Sequence, residues 1–198
     1  RSANRMVRQL DGGFYGAGCP HPAIECLASQ TTKLLTHYGC ATAVGRLLQI
    51  SMELFILELG MGDQLFAIDY ELHGSWVTDS WLKSLWEKVH LFGIELREGK
   101  LKVQPPRAGD EWLMPMFRRL GCSAAELLRL NRVRIHQQVL YYSDVMDARG
   151  TAVDKRYQTR RGPTQVWSTY RFPLQQPPEK DFHIWTRMLV QLRQIRLN

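Results

Sequence analysis

The sequence predicts a mainly α-helical fold: a bundle of five to six helices with a small β-hairpin and a basic C-terminal extension ending in a helix. Three observations predict it. Apolar residues recur at three- and four-residue spacing in several separate segments. Glycines stand where those patterns stop, at Gly39, Gly60, Gly93 and Gly121. No internal repeat is visible, which argues against a solenoid. The 198 residues, 44% apolar and 23% charged, can bury a core without metal or disulfide support.

The elements follow in sequence order. Residues 1–20 read as a Gly-rich connector, because Gly12, Gly13, Gly16 and Gly18 cannot hold a helix. A helical domain is expected over 21–150. Pro22 suits a first helical position, and Ile24, Leu27, Thr31, Leu34, Leu35 and Tyr38 continue the pattern to Gly39. A second helix runs from about Thr42 to Gly60, with an almost wholly apolar tail that argues for a central position. Glu53 and Glu58 interrupt it, and a carboxylate bonded by a neighbouring segment accounts for such an acid. Residues 61–77 read as loop. Thr78 is expected to cap a helix carrying Trp81, Leu82, Leu85, Trp86, Val89 and Phe92. Alternation over 94–96 and 101–103, around Glu98 and Gly99, signals the hairpin.

After Pro105 and Pro106 a helix is expected from about Asp110, with Pro115 in its first turn. Ser123 and Glu126 form a capping-box pattern that opens a long helix toward Ser143. Residues 151–178 are a basic, Pro- and Arg-rich connection with one possible strand over 166–172. Residues 179–198 form the last helix, on Phe182, Trp185, Met188, Leu189 and Leu192. The expected core is Leu34, Leu35, Leu47, Leu54, Phe55, Trp81, Leu85, Trp86, Phe117, Leu130, Val133 and Leu140.

Charge carries the firmest functional information. The net charge is +7, from 26 basic against 19 acidic residues, and residues 1–154 hold 17 of each. The whole excess therefore lies in the last 44 residues: nine basic side chains against Glu179 and Asp181. Such asymmetry marks contact with a polyanion or an acidic partner surface. No apolar run approaches the roughly 20 residues of a membrane span, so no membrane is expected as a partner. Cys19, Cys26, Cys40 and Cys122 are too few and too scattered for a disulfide scaffold. They read as reduced thiols of an intracellular protein, nuclear or cytoplasmic. The opening on Arg1, without a signal segment, reads as a piece of a longer protein.

No nucleophile elbow, phosphate-binding glycine loop or paired-histidine metalloprotease pattern occurs. Cys19, His21, His37 and Cys40 are zinc-type ligands in one stretch, with Cys26 among them, but they lack knuckle spacing, and no cofactor is expected. Asp144, Asp147 and Asp154 could hold Mg²⁺ only if they converged; acids also favour turns and helix ends. The remaining constellation is basic. Lys155, Arg156, Arg160, Arg161 and Arg171 are interleaved with Tyr157, Trp167 and Tyr170, a mixture suited to phosphates and unstacked bases. Arg129 and Arg132 share a helix face and add a second cluster, while Arg134 points elsewhere.

Several longer stretches carry a resemblance. They are the Gly12–Gly13 run, HPAIECLASQTTKLLTHYGC from His21, LELG from Leu57, SWLKSLWE from Ser80, DEWLM from Asp110, and LNRVRIHQQVLYYSDVMDARGTAVDKRY from Leu130, followed by Trp167 and Ser168. Together they span most of residues 12–190. The chain resembles the segment that follows the reverse transcriptase domain in eukaryotic non-LTR, LINE-like retroelement proteins. The resemblance implies a non-catalytic region attached to a polymerase, whose aspartates lie upstream, and which helps to hold template RNA or target DNA. The expected function is thus nucleic-acid binding, to RNA or another single strand, by Lys155, Arg156, Arg160, Arg161, Trp167, Arg171, Arg129 and Arg132. The alternative is a helical protein-interaction module packing on the polymerase or another subunit, with Trp76, Trp112 or Trp185 as exposed anchors.

Overall fold

Helix boundaries fall where capping chemistry puts them. In the computed structural model, which describes residues 21–62, 64–96, 105, 107–159 and 176–197 (side chains to 194), there are seven α-helices. They are α1 Pro22–His37, α2 Ala43–Leu59, α3 Tyr70–His73, α4 Trp81–Leu91, α5 Leu113–Arg119, α6 Ala124–Gln137 and α7 Glu179–Leu197. The fold is mainly α, with no strand among the described residues; pairing there is limited to two isolated bridges, Trp112 with Tyr141 and Met146 with Val153. Of the expected hairpin, 94–96 has no regular structure and 101–103 lies outside the described residues, as does the 166–172 strand.

The described residues divide into two compact units. One takes residues up to Met52 and Asp79–Leu96, and the other takes Glu53–Thr78 and the residues after Leu96. In the first, α1 packs on α4. Leu27, Gln30 and Leu34 form the buried stripe of α1, and Leu82, Leu85, Trp86 and Val89 that of α4. Gln30 Nε2 reaches the Trp81 carbonyl at 3.5 Å. Ser80, not the expected Thr78, caps α4, its hydroxyl accepting from Lys83 N–H at 3.2 Å. Thr78 belongs to the other unit, where its N–H and hydroxyl donate to the Glu58 carboxylate at 3.1 and 2.8 Å. The carboxylate in the apolar helix is therefore bonded by a neighbouring segment.

Three expected core residues are not core. Leu35 is 70% exposed, Leu47 63% and Trp81 37%, because the buried stripes of α1, of the first half of α2 and of α4 are narrower than the apolar patterns that announced them. Leu54 and Leu140 are half-buried, and the other seven are buried.

In the second unit α6 packs on α5 and α7, and α7 also meets α5. Phe182, Trp185, Met188, Leu189 and Leu192 are all buried. At about 2 kcal/mol for each such side chain, their burial is worth on the order of 10 kcal/mol before entropy is counted, so this helix is part of the core. Residues 61–77, expected as loop, carry a 3₁₀ turn at Leu65–Ala67, helix α3, and a 3₁₀ turn at Gly74–Trp76. They bury Leu65, Ile68, His73, Trp76 and Val77. The pattern was hidden because these turns are too short to show a period. α6 stops at Gln137 and not near Ser143: Gln138 takes a left-handed conformation (φ 56°) and its N–H bonds back to Arg134 O and Ile135 O. The backbone then turns so that Leu140 and Tyr141 N–H both donate to Asp144 at 2.9 Å.

The second unit also holds a buried arginine. Arg134, 2% exposed, donates to Asn131 Oδ1 (2.8 Å), Val139 O (3.2 Å), Leu57 O (2.6 Å) and Glu58 O (2.9 Å). Leu57 and Glu58 lie in the last turn of α2, whose carbonyls have no helical partner, so the guanidinium caps the negative end of that helix. Asn131 Nδ2 adds a bond to Glu58 O at 2.9 Å. Gly60, which ends α2 with φ +66°, is required twice: a Cβ there would also sit 2.5 Å from Arg134 Nε. Burial draws Arg134 down to about 9, partly offset by the Glu58 carboxylate, and it remains charged at neutral pH.

Candidate nucleic-acid interface

The candidate interface is built on α6, α7 and the 3₁₀ turn Lys155–Gln158. α6 starts in a complete capping box: Glu126 N–H donates to Ser123 Oγ (3.3 Å) and Ser123 N–H to Glu126 Oε2 (3.0 Å), an arrangement worth about 1 kcal/mol. Its buried stripe is Leu127, Leu130, Asn131, Val133, Arg134 and Gln137. Arg129 and Arg132, three residues apart, fall outside that stripe. Arg132 is exposed, with no hydrogen-bond or ion-pair partner among the described residues. Arg129 Nε lies 3.8 Å from Asp181 Oδ1 of α7. Asp181 is 1% exposed and its oxygens accept no hydrogen bond, so Arg129 is the cation that compensates a buried carboxylate.

Farther along α7, Arg187 Nη2 meets Glu126 Oε1 at 3.1 Å. The pairings 126 with 187 and 129 with 181 make the two helices antiparallel. Arg187 joins the seam, a residue that sequence reasoning did not select. The available signal was its place between Trp185 and Met188, outside the apolar stripe of the last helix.

The turn carrying Lys155 and Arg156 hangs from the same two helices. Trp185 Nε1 donates to Tyr157 O at 2.8 Å and Gln137 Nε2 to Thr159 O at 2.9 Å. Asp154 opens the turn by accepting Arg156 N–H at 2.9 Å, and its other oxygen takes Arg156 Nε and Nη2 at 2.9 and 2.6 Å. These bonds hold Asp154 below the usual carboxylate range and Arg156 above its own. Lys155 is exposed and has no partner among the described residues, whereas the Tyr157 ring is half-buried and burial raises its phenol. Arg160, Arg161, Trp167 and Arg171 lie outside the described residues.

Of the predicted set, Arg129, Arg132, Lys155 and Arg156 are thus mounted on one unit, and Arg187 is added to them. Arg134 is a structural cap.

The other predicted constellations do not assemble. His21 Nδ1 accepts from Ala23 N–H at 3.2 Å and caps the start of α1, while His37 ends that 16-residue helix, roughly 24 Å away. The two cannot share a zinc ion. Cys40 Sγ donates to Thr36 O at 3.2 Å, and Cys19 lies outside the described residues. No cluster of three metal-ligating side chains occurs among the described residues. Each aspartate is engaged by its own turn: Asp144 by Leu140 and Tyr141, Asp147 by Thr151 at 2.8 Å, Asp154 by Arg156. The tryptophans expected as exposed anchors are interior, with Trp76 at 9%, Trp112 at 8% and Trp185 at 0% exposure. Each meets a ring partner edge-on, His73 at 4.6 Å, Tyr141 at 4.8 Å and Phe117 at 5.6 Å, a contact that adds about 1 kcal/mol to the burial itself. No helix among the described residues is long and apolar enough to cross a membrane. No family model, no curated protein and no solved structure matches this sequence.

Proposed function

We propose that the protein is a non-catalytic nucleic-acid-binding segment that takes up RNA or another single strand on the basic side of its second unit. The observation that carries this reading is the charge: all of the +7 excess belongs to the last 44 residues. Its described members ride on packed elements instead of a solvated tail. Lys155 and Arg132 offer unpaired cations to phosphate. Arg156 and Arg187 are already part-neutralised and would contribute by exchanging a carboxylate for a phosphate oxygen, whereas Arg129, 40% exposed, would keep its Nε toward the buried Asp181 and offer its terminal amines. Arg160, Arg161, Arg171 and the Trp167 ring extend the surface as sequence-level members, and the resemblance to retroelement proteins supplies the setting, a segment beside a polymerase domain.

The test is fluorescence anisotropy with labelled single-stranded RNA, single-stranded DNA and duplex DNA across a salt series. Five phosphate contacts on a single strand give a slope of log K against log salt near −3.5 at about −0.7 per contact. Reversing Arg132 and Lys155 to Glu, neither of which supports the fold, should weaken binding uniformly across sequences and flatten that slope. Absence of binding at low salt would remove the reading.

A second reading is favoured by a separate observation. Nine of the eleven exposed large apolar side chains among the described residues lie in the first unit, among them Ile24 and Leu35 on α1, Val44, Leu47 and Ile50 on α2, and Leu91 beyond the buried stripe of α4. On that reading the first unit is a helical protein-interaction module, and its apolar ridges receive an amphipathic helix of a partner polypeptide. The two readings use different surfaces, so Leu35→Gln with Leu47→Gln should leave the salt-dependent anisotropy unchanged if the basic surface acts by itself.

A further inference from the structure

The second unit contains a cleft that neither reading uses. Asp69 starts it by capping α3, its Oδ1 accepting Glu71 and Leu72 N–H at 2.9 and 3.4 Å. His73 closes that single turn. Its Nδ1 stands 3.0 Å from Asp69 O, and because a carbonyl can only accept, Nδ1 carries the hydrogen and Nε2 is left with a lone pair. Burial, with the Arg118 charge adding to it, lowers the His73 pKa and keeps the ring neutral. The ring stands edge-on to Trp76 at 4.6 Å. Leu72, His73 and Trp76 form one wall, and Arg118, Cys122, Ala124 and Leu127 form the other, around a volume of about 170 Å³. A cavity of about 150 Å³ holds a benzene ring, so this one is sized for a single ring or branched side chain.

The full charge in its lining is positive. Arg118 is exposed and has no partner among the described residues. Ala124 begins α6, where the capping box takes up the Glu126 N–H and leaves those of Ala124 and Ala125 at the positive end of the helix. Glu126, the carboxylate acting on Cys122, is already engaged by Ser123 and Arg187. Burial raises the Cys122 thiol, so it stays protonated and is no nucleophile.

We propose that this cleft is a binding site for a small apolar carboxylate, its ring or branched group between Leu72, Trp76 and Leu127 and its carboxylate on Arg118. The proposal is independent of the nucleic-acid reading. A free acid and a peptide ending in an aromatic residue share this chemistry, and size and reach separate them.

The experiment is a two-dimensional ¹H–¹⁵N NMR titration of the whole 198-residue chain, in one buffer, with phenylacetate, 2-phenylethanol and a Gly-Gly-Phe peptide. Phenylacetate should give saturable shifts at the Trp76 indole and Ala124 amide. Arg118→Gln should weaken it about tenfold, the worth of one charge-assisted hydrogen bond, and leave 2-phenylethanol within about twofold. Ala124→Leu, at an exposed position that lines the cleft, should abolish binding while the remaining spectrum is retained. Tighter binding of the peptide than of phenylacetate identifies a peptide C-terminus as the ligand; weaker binding identifies a free acid. Equal binding of 2-phenylethanol and phenylacetate, or no saturable shift with any probe, overturns the proposal.

Discussion

The two units solve the problem of packing in different ways. Of 33 buried apolar side chains among the described residues, 26 belong to the second unit, which is about twice the length of the first. The second also holds six of the seven buried polar or charged side chains, Gln30 being the exception. Its interior is crossed by bonds between segments far apart in sequence, such as Arg134 on four oxygens or Glu58 on Thr78. The first unit is held by a thin apolar seam between α1 and α4 and leaves most of the exposed apolar surface uncovered. Where a core is thin, apolar side chains remain for a partner; where polar groups are buried, the fold is specified at the cost of tolerance to change.

The largest test of that contrast is Arg134→Met. Removing the guanidinium leaves the Leu57, Glu58 and Val139 carbonyls and Asn131 Oδ1 without it in a dry interior, and breaking such a network costs about 4 kcal/mol. Urea unfolding should show the loss, and hydrogen exchange should place it in peptides of the second unit. Arg134→Lys should rescue little, since a compact ammonium cannot span four acceptors. A tolerated Arg134→Met would break the comparison, because the second unit would then rest on apolar packing alone.

Next comes a neighbouring pair in the first unit. Leu34 is 2% exposed and Leu35 70%. Leu34→Ala should cost about 3 kcal/mol, whereas Leu35→Ala should stay within about 0.5 kcal/mol, both read from urea midpoints. Equal costs would mean that the apolar face of α1 is covered in solution. A smaller effect is expected of Gly60→Ala, about 2 kcal/mol, from the positive φ together with the close approach of Arg134. Combined with Arg134→Met its cost should fall, because the clash is gone and only the backbone conformation remains.

The same contrast explains what could be read from the sequence. Periodic helices with chemical ends were legible: Pro22 opens α1, Ser123 with Glu126 opens α6, Gly60 closes α2, and the apolar stripe of α7 is buried as a whole. The segment 61–77 was not, because its helix and turns are too short for periodicity and its core residues are held by tertiary packing. Nor was the stop after Gln137, where a non-glycine takes a left-handed conformation. Leu35 and Leu47 misled for the opposite reason: an apolar residue at helical spacing states that a face could be buried, not that a neighbour exists to bury it. At the candidate interface, i to i+3 spacing placed Arg129 and Arg132 on one face, but the pairing of Arg129 with Asp181 and the burial of Arg134 depend on segments 50 or more residues away.

The smallest predicted effect is a pH dependence in the second unit. His73 has its folded pKa lowered by burial, so the unfolded state binds a proton near pH 6.5 that the folded state still refuses. Stability is therefore fully present above pH 6.5 and is lost as the pH falls below it toward the lowered folded value, the direction in which the unfolded state holds more protons. Urea midpoints measured from pH 7.5 down to 5.5 should fall, and the fall should shrink in His73→Asn, whose side-chain amide can still donate to Asp69 O. Asp147, Asp154 and Glu126, all held low by hydrogen bonds, contribute a separate loss at more acidic pH, as they protonate below the ordinary carboxylate range. A slope between pH 7.5 and 5.5 that survives in His73→Asn would assign it to another histidine. His73 would then not be the neutral, buried ring that forms one wall of the cleft.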